Sequence, residues 1–210
     1  MLELLSRPWR LVCAALIVLL GSAPSSGLPD HPLINEILYD GPGADSDDVF
    51  TELVGPPRLS LDGWTLAGIN GDDGDAYRQV DLTGAVIPQD GVLVLATADA
   101  LAELAAVRDV IASVDWQNGP DAVQLLDPAG QVVDALQYGQ TDPVLGEGMP
   151  APETGAGESL SRDDASTDTQ DNATDFSVAT EPTPGVSGST PPDPDPGSPS
   201  LHLSLPDTLA

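Results

Sequence analysis

The sequence predicts an all-β sandwich, and three observations predict it. Short β-rich segments with alternating or continuous apolar positions recur from residue 33 onward, each bounded by turn residues. Gly and Pro number 21 each, a punctuation that suits many short elements rather than long helices. Hydrophobic residues are 40% of a 210-residue chain, enough for one packed core in one domain with appendages at its ends. Seven or more short strands at this spacing fit two packed sheets.

Residues 33–39 are apolar and β-rich and end at the turn Asp40-Gly41-Pro42-Gly43. Residues 49–54 alternate loosely and stop at Gly55-Pro56-Pro57. Residues 59–66 place alternate apolar side chains on one face, with Trp64 expected as a core anchor. Residues 76–82 are a further candidate, and the continuous apolar run 91–96 reads as a central strand. Residues 98–109 differ: Ala100, Leu101, Leu104, Ala105 and Arg108 follow helical spacing, which predicts one short surface helix. Residues 122–126 and 131–138 flank the turn Asp127-Pro128-Ala129-Gly130 and make the clearest hairpin. Short strands are expected at 159–162 and 175–178.

The ends read differently. Arg7 and Arg10 precede an apolar run at residues 11–20, followed by the small residues Gly21, Ser22 and Ala23, the layout of a signal peptide over residues 1–27. The run is shorter than the roughly 20 residues that span a bilayer. The rival reading is an uncleaved anchor. Cys13, the sole cysteine, falls in this run, so the mature chain would hold no disulfide. The sandwich is expected over residues 28–188. Residues 189–210 are rich in Pro, Asp and Ser and read as a disordered tail.

The chain carries 34 acidic and 6 basic residues, net charge −28, and all six bases are Arg. Such a surface repels nucleic-acid phosphates and anionic lipid, favours solubility and attracts divalent cations. Asp outnumbers Glu, which suits turns and calcium loops. Only His31 and His202 are present, and neither a G-x-S-x-G elbow nor a P-loop occurs, so no hydrolase triad, nucleotide loop or ordinary zinc site is legible. Three acidic clusters are candidate calcium loops. Asn70, Asp72, Asp73 and Asp75 lie on a Gly-flexible loop; Asp45, Asp47 and Asp48 precede a strand; Asp168, Asp171, Asn172 and Asp175 form the third. For each, the plain alternative is a solvated turn. Glu36 and Glu52, inside the two strongest strand motifs, are expected to be buried and paired with Arg162 or Arg58, a network that stabilises the fold.

Seven segments in order resemble the lamin tail domain of bacterial exported proteins. They are Ile34-Asn35-Glu36-Ile37, Phe50-Thr51-Glu52-Leu53, Leu61-Asp62-Gly63-Trp64-Thr65-Leu66, Ile87-Pro88 with residues 91–95, residues 117–125, Ser159-Leu160-Ser161-Arg162, and Pro182-Thr183-Pro184-Gly185. The resemblance implies an immunoglobulin-like β-sandwich without catalytic residues, with Asn35, Glu36, Glu52, Gly63, Trp64 and Arg162 as motif positions. Thr51 stands where the family usually has Val, and Val54-Gly55-Pro56 follows where it has Asn.

The function expected is therefore an exported, non-catalytic interaction, adhesion or tethering module of the cell envelope or extracellular space, with calcium stiffening its loops and no other cofactor. Its partner is a protein, a surface polymer or a second copy. The alternatives are a small secreted hydrolase using Asp and Glu, which needs two carboxylates in one concave pocket, and a passive structural spacer.

Overall fold

The computed structural model describes residues 28–186. The signal peptide expected at 1–27 and the tail at 189–210 lie outside the described residues.

In chain order the elements are β1 (Leu33–Leu38), α1 (Asp45–Asp48), β2 (Phe50–Val54), β3 (Thr65–Asn70), β4 (Ala76–Asp81), β5 (Val92–Ala96), α2 (Ala102–Val107), β6 (Val110–Ile111), β7 (Asp121–Leu126), β8 (Val132–Tyr138), β9 (Ser159–Ser161), α3 (Asn172–Asp175) and β10 (Ser177–Ala179). One sheet runs β10-β9-β1-β2-β5-β6 and the other β4-β3-β7-β8. Neighbours are antiparallel except β5 and β6, which are parallel.

The two sheets close over one interior. Ile34, Leu53, Leu93, Leu95 and Leu160 from the first sheet meet Leu66, Val80, Val123, Leu125 and Leu136 from the second. Strands β1, β2 and β5 are buried on both faces, which explains the unbroken apolar run of β5, while β1 and β2 carry the buried polar residues Asn35, Glu36, Thr51 and Glu52. Their outer face, with Leu38, Phe50, Val92, Val94 and Ala96, is covered by Leu104 of α2.

A register shift between Ile34 and Glu36 inserts one extra residue opposite β2. Ile34 and Ile37 both face the interior although they are three residues apart, while Leu38 faces α2. The bulge thus turns the polar pair Asn35 and Glu36 away from the apolar interior without disturbing either neighbour.

Trp64 and the run at 59–66 depart from expectation. Trp64 precedes β3 and is only half-buried at the rim of the interior. The central indole is Trp116, 1% exposed, in the irregular segment after β6. It donates from Nε1 to Thr51 Oγ1 at 2.8 Å, so Thr at this inward position supplies the acceptor that a buried indole needs. Gly68 makes room for it: a Cβ there would sit 2.9 Å from the Trp116 ring and 2.6 Å from Tyr77. The run at 59–66 does not form one strand. Ser60 makes an isolated bridge to Val86, Leu61–Trp64 is a turn, and pairing starts at Thr65. The apolar run at 91–96 is β5, an inner strand paired with β2 on one side and with the two-residue edge strand β6 on the other.

The short helix expected within 98–109 is present as α2, and the 122–138 hairpin is β7–β8. Asp127 builds its turn, accepting from Ala129 N and Gln131 N through Oδ1. The segment expected to be strand from residue 175 begins with α3, and pairing starts at Ser177.

Candidate functional site

Three places among the described residues gather buried polar groups or a concave surface. The first is the pair Glu36 and Glu52. They are register partners on adjacent strands and are 1% and 0% exposed. Neither is paired with arginine, which corrects the expected pairing with Arg162 or Arg58. Glu36 accepts from Ser159 Oγ at 2.5 Å and from Thr183 N and Oγ1 at 3.0 and 2.9 Å. Glu52 accepts from Asn35 Nδ2 and from Gly185 N, each at 2.7 Å. In Pro182-Thr183-Pro184-Gly185 the prolines have no N–H, so the alternate residues Thr183 and Gly185 are the available backbone donors, one for each glutamate. Burial pushes the Glu52 carboxyl up to about 7, the Asn35 and Gly185 donors pull against it, and the charges of Glu36 and Asp90 add to the rise. These carboxylates are buried under the 182–185 strap.

The second place surrounds Arg162, 5% exposed, just after β9. Its Nε donates to Ile34 O at 2.9 Å, Nη1 to Thr167 O at 2.7 Å and Nη2 to Asp134 Oδ1 at 3.0 Å. Asp134 also accepts from Ile34 N at 2.6 Å, so this pair ties β8 of one sheet to β1 of the other. Asp175 and Asp168 approach Nη1 at 3.3 and 3.6 Å, and the guanidinium lies 4.4 Å over the Phe176 ring. Burial raises the Asp134 carboxyl against the pull of Arg162. Burial also acts to raise Asp175, but Thr169, the Asp171 amide and Arg162 outweigh it and hold that carboxyl low. Asn172, fully buried, accepts from Gln137 N and Glu147 N and donates to Ala135 O, covering the edge of β8. The third acidic cluster of the sequence is thus a polar seam of the fold.

Glu147 completes this seam. Its carboxylate comes within 4.8 Å of those of Asp168 and Asp175, and its Oε2 is buried without a hydrogen-bond partner. Burial, then the charges of Asp134 and Asp168, push Glu147 up to about 7 against the pull of Arg162. A carboxyl whose folded value lies above its ordinary 4.5 binds its proton more tightly folded than unfolded. The destabilisation is therefore complete above pH 7 and vanishes as pH falls to the ordinary value. Glu147→Gln is expected to raise the melting temperature by a few degrees at pH 8 and leave it unchanged at pH 4.5. Thermal scans at both pH values check this; an equal gain at both contradicts it.

The third place is a groove of about 790 Å³ on the outer face of the six-stranded sheet. Leu38 and Phe50 form its floor, Leu101, Leu104 and Val107 of the α2 region one wall, and Pro182 and Pro184 the other. The charged residues lining it are Asp48 and Glu103; no hydroxyl, imidazole or thiol side chain lines it. Leu101 N donates to Asp47 O, and Arg108 Nη1 donates to Thr97 O, which fixes α2 over the sheet.

The structure places the other candidates plainly. Asn70, Asp72, Asp73 and Asp75 form the β3–β4 turn, and the three aspartates are exposed. Residues 45–48 form α1. Gly63 adopts a positive φ of 79° in the turn beside Pro128, and Trp64 packs at the rim. Arg58 is exposed. His31 pairs with Asp30 at 2.6 Å and does not line the groove. Sequence reasoning missed Asp134, Glu147 and the α2 groove. Asp134 had one signal, a charge inside the apolar run of the best hairpin.

Two facing sheets around one core, with the buried charges engaged by arginine and backbone amides, define an immunoglobulin-like β-sandwich. The chain belongs to the lamin tail domain family, which matches residues 28–140. Domains of this family are generally non-catalytic interaction modules. Strands β9 and β10 and Arg162 lie beyond the matched span yet complete the first sheet. No curated protein and no solved structure matches the chain. No helix of the described residues is long and apolar enough to cross a membrane.

Proposed function

We propose that the chain is an exported, non-catalytic tethering module that holds a protein partner in its α2 groove. The observation that carries this reading is the groove itself. On a chain of net charge −28 it is an apolar surface, with Leu101 and Val107 exposed to 53% and 41% and acidic groups at its margin. An apolar patch rimmed by charge marks a binding surface more often than chance exposure does. The partner fitting it is a protein segment with apolar side chains flanked by basic residues. Export rests on the leader pattern in residues 1–27.

The hydrolase alternative would have to use Asp48 and Glu103, the two carboxylates on this concave surface. Both readings are tested together. Tagged full chain is recovered from envelope and extracellular fractions and its cross-linked partners are identified. The purified partner is then titrated against wild type and Leu101→Glu/Val107→Glu. The tether reading expects an affinity loss of about tenfold or more in that variant, roughly 1.4 kcal/mol, and little loss in Asp48→Asn/Glu103→Gln. Equal affinity for wild type and the Leu101/Val107 variant overturns it. So does hydrolysis of a glycan or ester that disappears in the Asp48/Glu103 variant.

A further inference from the structure

The turn between β3 and β4 is held from within. Asn70 Oδ1 accepts from Asp72 N at 2.8 Å, Asp73 Oδ1 accepts from Asp75 N at 3.0 Å, and Gly74 N donates to Asn70 O at 2.8 Å. These bonds account for the turn and call for no ligand. What they leave unexplained is Asp121, the first residue of β7 and the register partner of Asn70. Asp121 is 4% exposed. Its Oδ1 accepts from Gly71 N at 2.7 Å, in the middle of the turn, while its Oδ2 is buried with no hydrogen-bond partner.

A buried carboxylate with one oxygen unmet is destabilising, and here the charges pressing on it are those of Asp72 and Asp73. The two phenols whose ionisation its charge opposes, Tyr77 and Tyr138, bond Gln117 through their hydroxyls. A cation reaching the turn from the loop side would satisfy the unmet Asp121 oxygen and offset the three neighbouring charges. Among the described residues no basic side chain makes an ion pair with Asp121, Asp72 or Asp73.

We propose that Asp121 is the buried ligand of a calcium site completed by the exposed carboxylates of Asp72 and Asp73. Calcium takes six to eight oxygens from carboxylates, carbonyls and water, in flexible geometry. An all-oxygen donor set selects a hard cation over zinc or copper. Gly71, whose amide touches the Asp121 carboxylate, directly precedes Asp72 and Asp73, so the ion would draw these two exposed side chains toward Asp121 and take its remaining oxygens from carbonyls and water. Asn70 shapes the turn, its side-chain oxygen accepting from Asp72 N. A calcium loop usually draws its closing carboxylate from further along the same segment; this one takes it from the neighbouring strand.

The rival acidic cluster, Glu147, Asp168 and Asp175, already contains a cation: Arg162 Nη1 lies 3.3 and 3.6 Å from two of its members. The site at Asp121 has none, and it is independent of the groove on the other sheet.

Calorimetric titration of the chelator-stripped full chain with calcium chloride tests the proposal. One ion per chain is expected, with a dissociation constant of about 10⁻⁴ to 10⁻³ M, the range of extracellular modules, and a melting temperature that rises with calcium. Asp121→Asn keeps the acceptor for Gly71 N and is expected to weaken binding at least about tenfold. Asp72→Asn/Asp73→Asn, at exposed positions that leave folding intact, is expected to do the same. Asp99→Asn and Asp168→Asn are expected to bind like wild type. No heat and no thermal shift at about 10 mM calcium overturns the site, since that is well above the expected range. Binding that survives Asp121→Asn overturns it too, as does binding lost in Asp168→Asn, which places the ion beside Arg162.

Discussion

Replacing Arg162 by Met is expected to lower the stability of the domain by about 3–5 kcal/mol, the largest loss from any single charged residue here. The guanidinium meets three obligations at once. It satisfies the carbonyls of Ile34 and Thr167, and it neutralises Asp134, whose side chain is fully buried. Removing it orphans those carbonyls and leaves Asp134 and Asp175 as unpaired buried charges. For a domain of this size each kcal/mol shifts the melting temperature by about 2–4 °C, so a fall of roughly 6–20 °C is expected. Arg162→Lys keeps the charge but cannot hold Ile34 O, Thr167 O and Asp134 with one ammonium, and is expected to recover only part of the loss. Adding Asp134→Asn to Arg162→Met should restore some stability, because the most deeply buried unpaired charge is gone while Ile34 N keeps its acceptor. Guanidinium unfolding of the four chains checks this. A loss below about 1 kcal/mol in Arg162→Met would mean that the ion pairs are solvated and that the two sheets are joined by apolar packing alone.

The same network shows what a sequence can and cannot reveal. The strand β5 was legible because burial on both faces leaves an unbroken apolar run, and β1 and β2 because apolar residues flank their polar pairs Asn35-Glu36 and Thr51-Glu52. The β7–β8 hairpin was legible because Asp127 and Gly130 carry the chemistry of their turn within four residues. The partners of buried charges are a different matter. Asp134 bonds Ile34, one hundred positions away, and Arg162 bonds Ile34 across 128. Spacing within a segment carries no information about such pairs. Glu36 and Glu52 were recognisable as buried from their apolar flanks, yet arginine was expected where backbone amides serve. An amide donor leaves no mark in the sequence except by exclusion, as where the prolines at 182 and 184, lacking N–H groups, leave Thr183 and Gly185 as the donors. The bulge at Asn35 was hidden for a related reason: it appears only as a shift against β2. The acidic turn at 70–75 was visible as a turn. Asp121, the residue that makes it a candidate calcium site, sits fifty positions from Gly71 and becomes a neighbour only through strand pairing.

The placement of tryptophan yields the second large expectation. Trp64 lies in a motif with alternating apolar residues, so sequence reasoning puts it at the centre. Trp116 lies in a stretch without periodicity, between β6 and β7, and so reads as loop packing. Backbone bonds from Val114 N to Ala112 O and from Trp116 N to Val114 O fold that stretch tightly and drive the indole inward, onto the space left by Gly68. Trp116→Ala is expected to cost about 3–5 kcal/mol through lost contacts and a cavity between the sheets. Trp64→Ala removes a half-buried ring at the rim and is expected to cost less than half as much. Trp116→Phe retains most of the volume but strips Thr51 Oγ1 of its donor, and is expected to fall between them, at about 1–3 kcal/mol. Thr51→Val in the Trp116→Phe background should recover part of that loss, since a buried hydroxyl without a partner is then replaced by a methyl. Denaturant midpoints for the single and double variants, read with the far-ultraviolet signal, decide the matter. If Trp64→Ala proves as damaging as Trp116→Ala, the interior is centred on the rim residue after all, and the packing of β3 against the 112–116 segment described above is wrong.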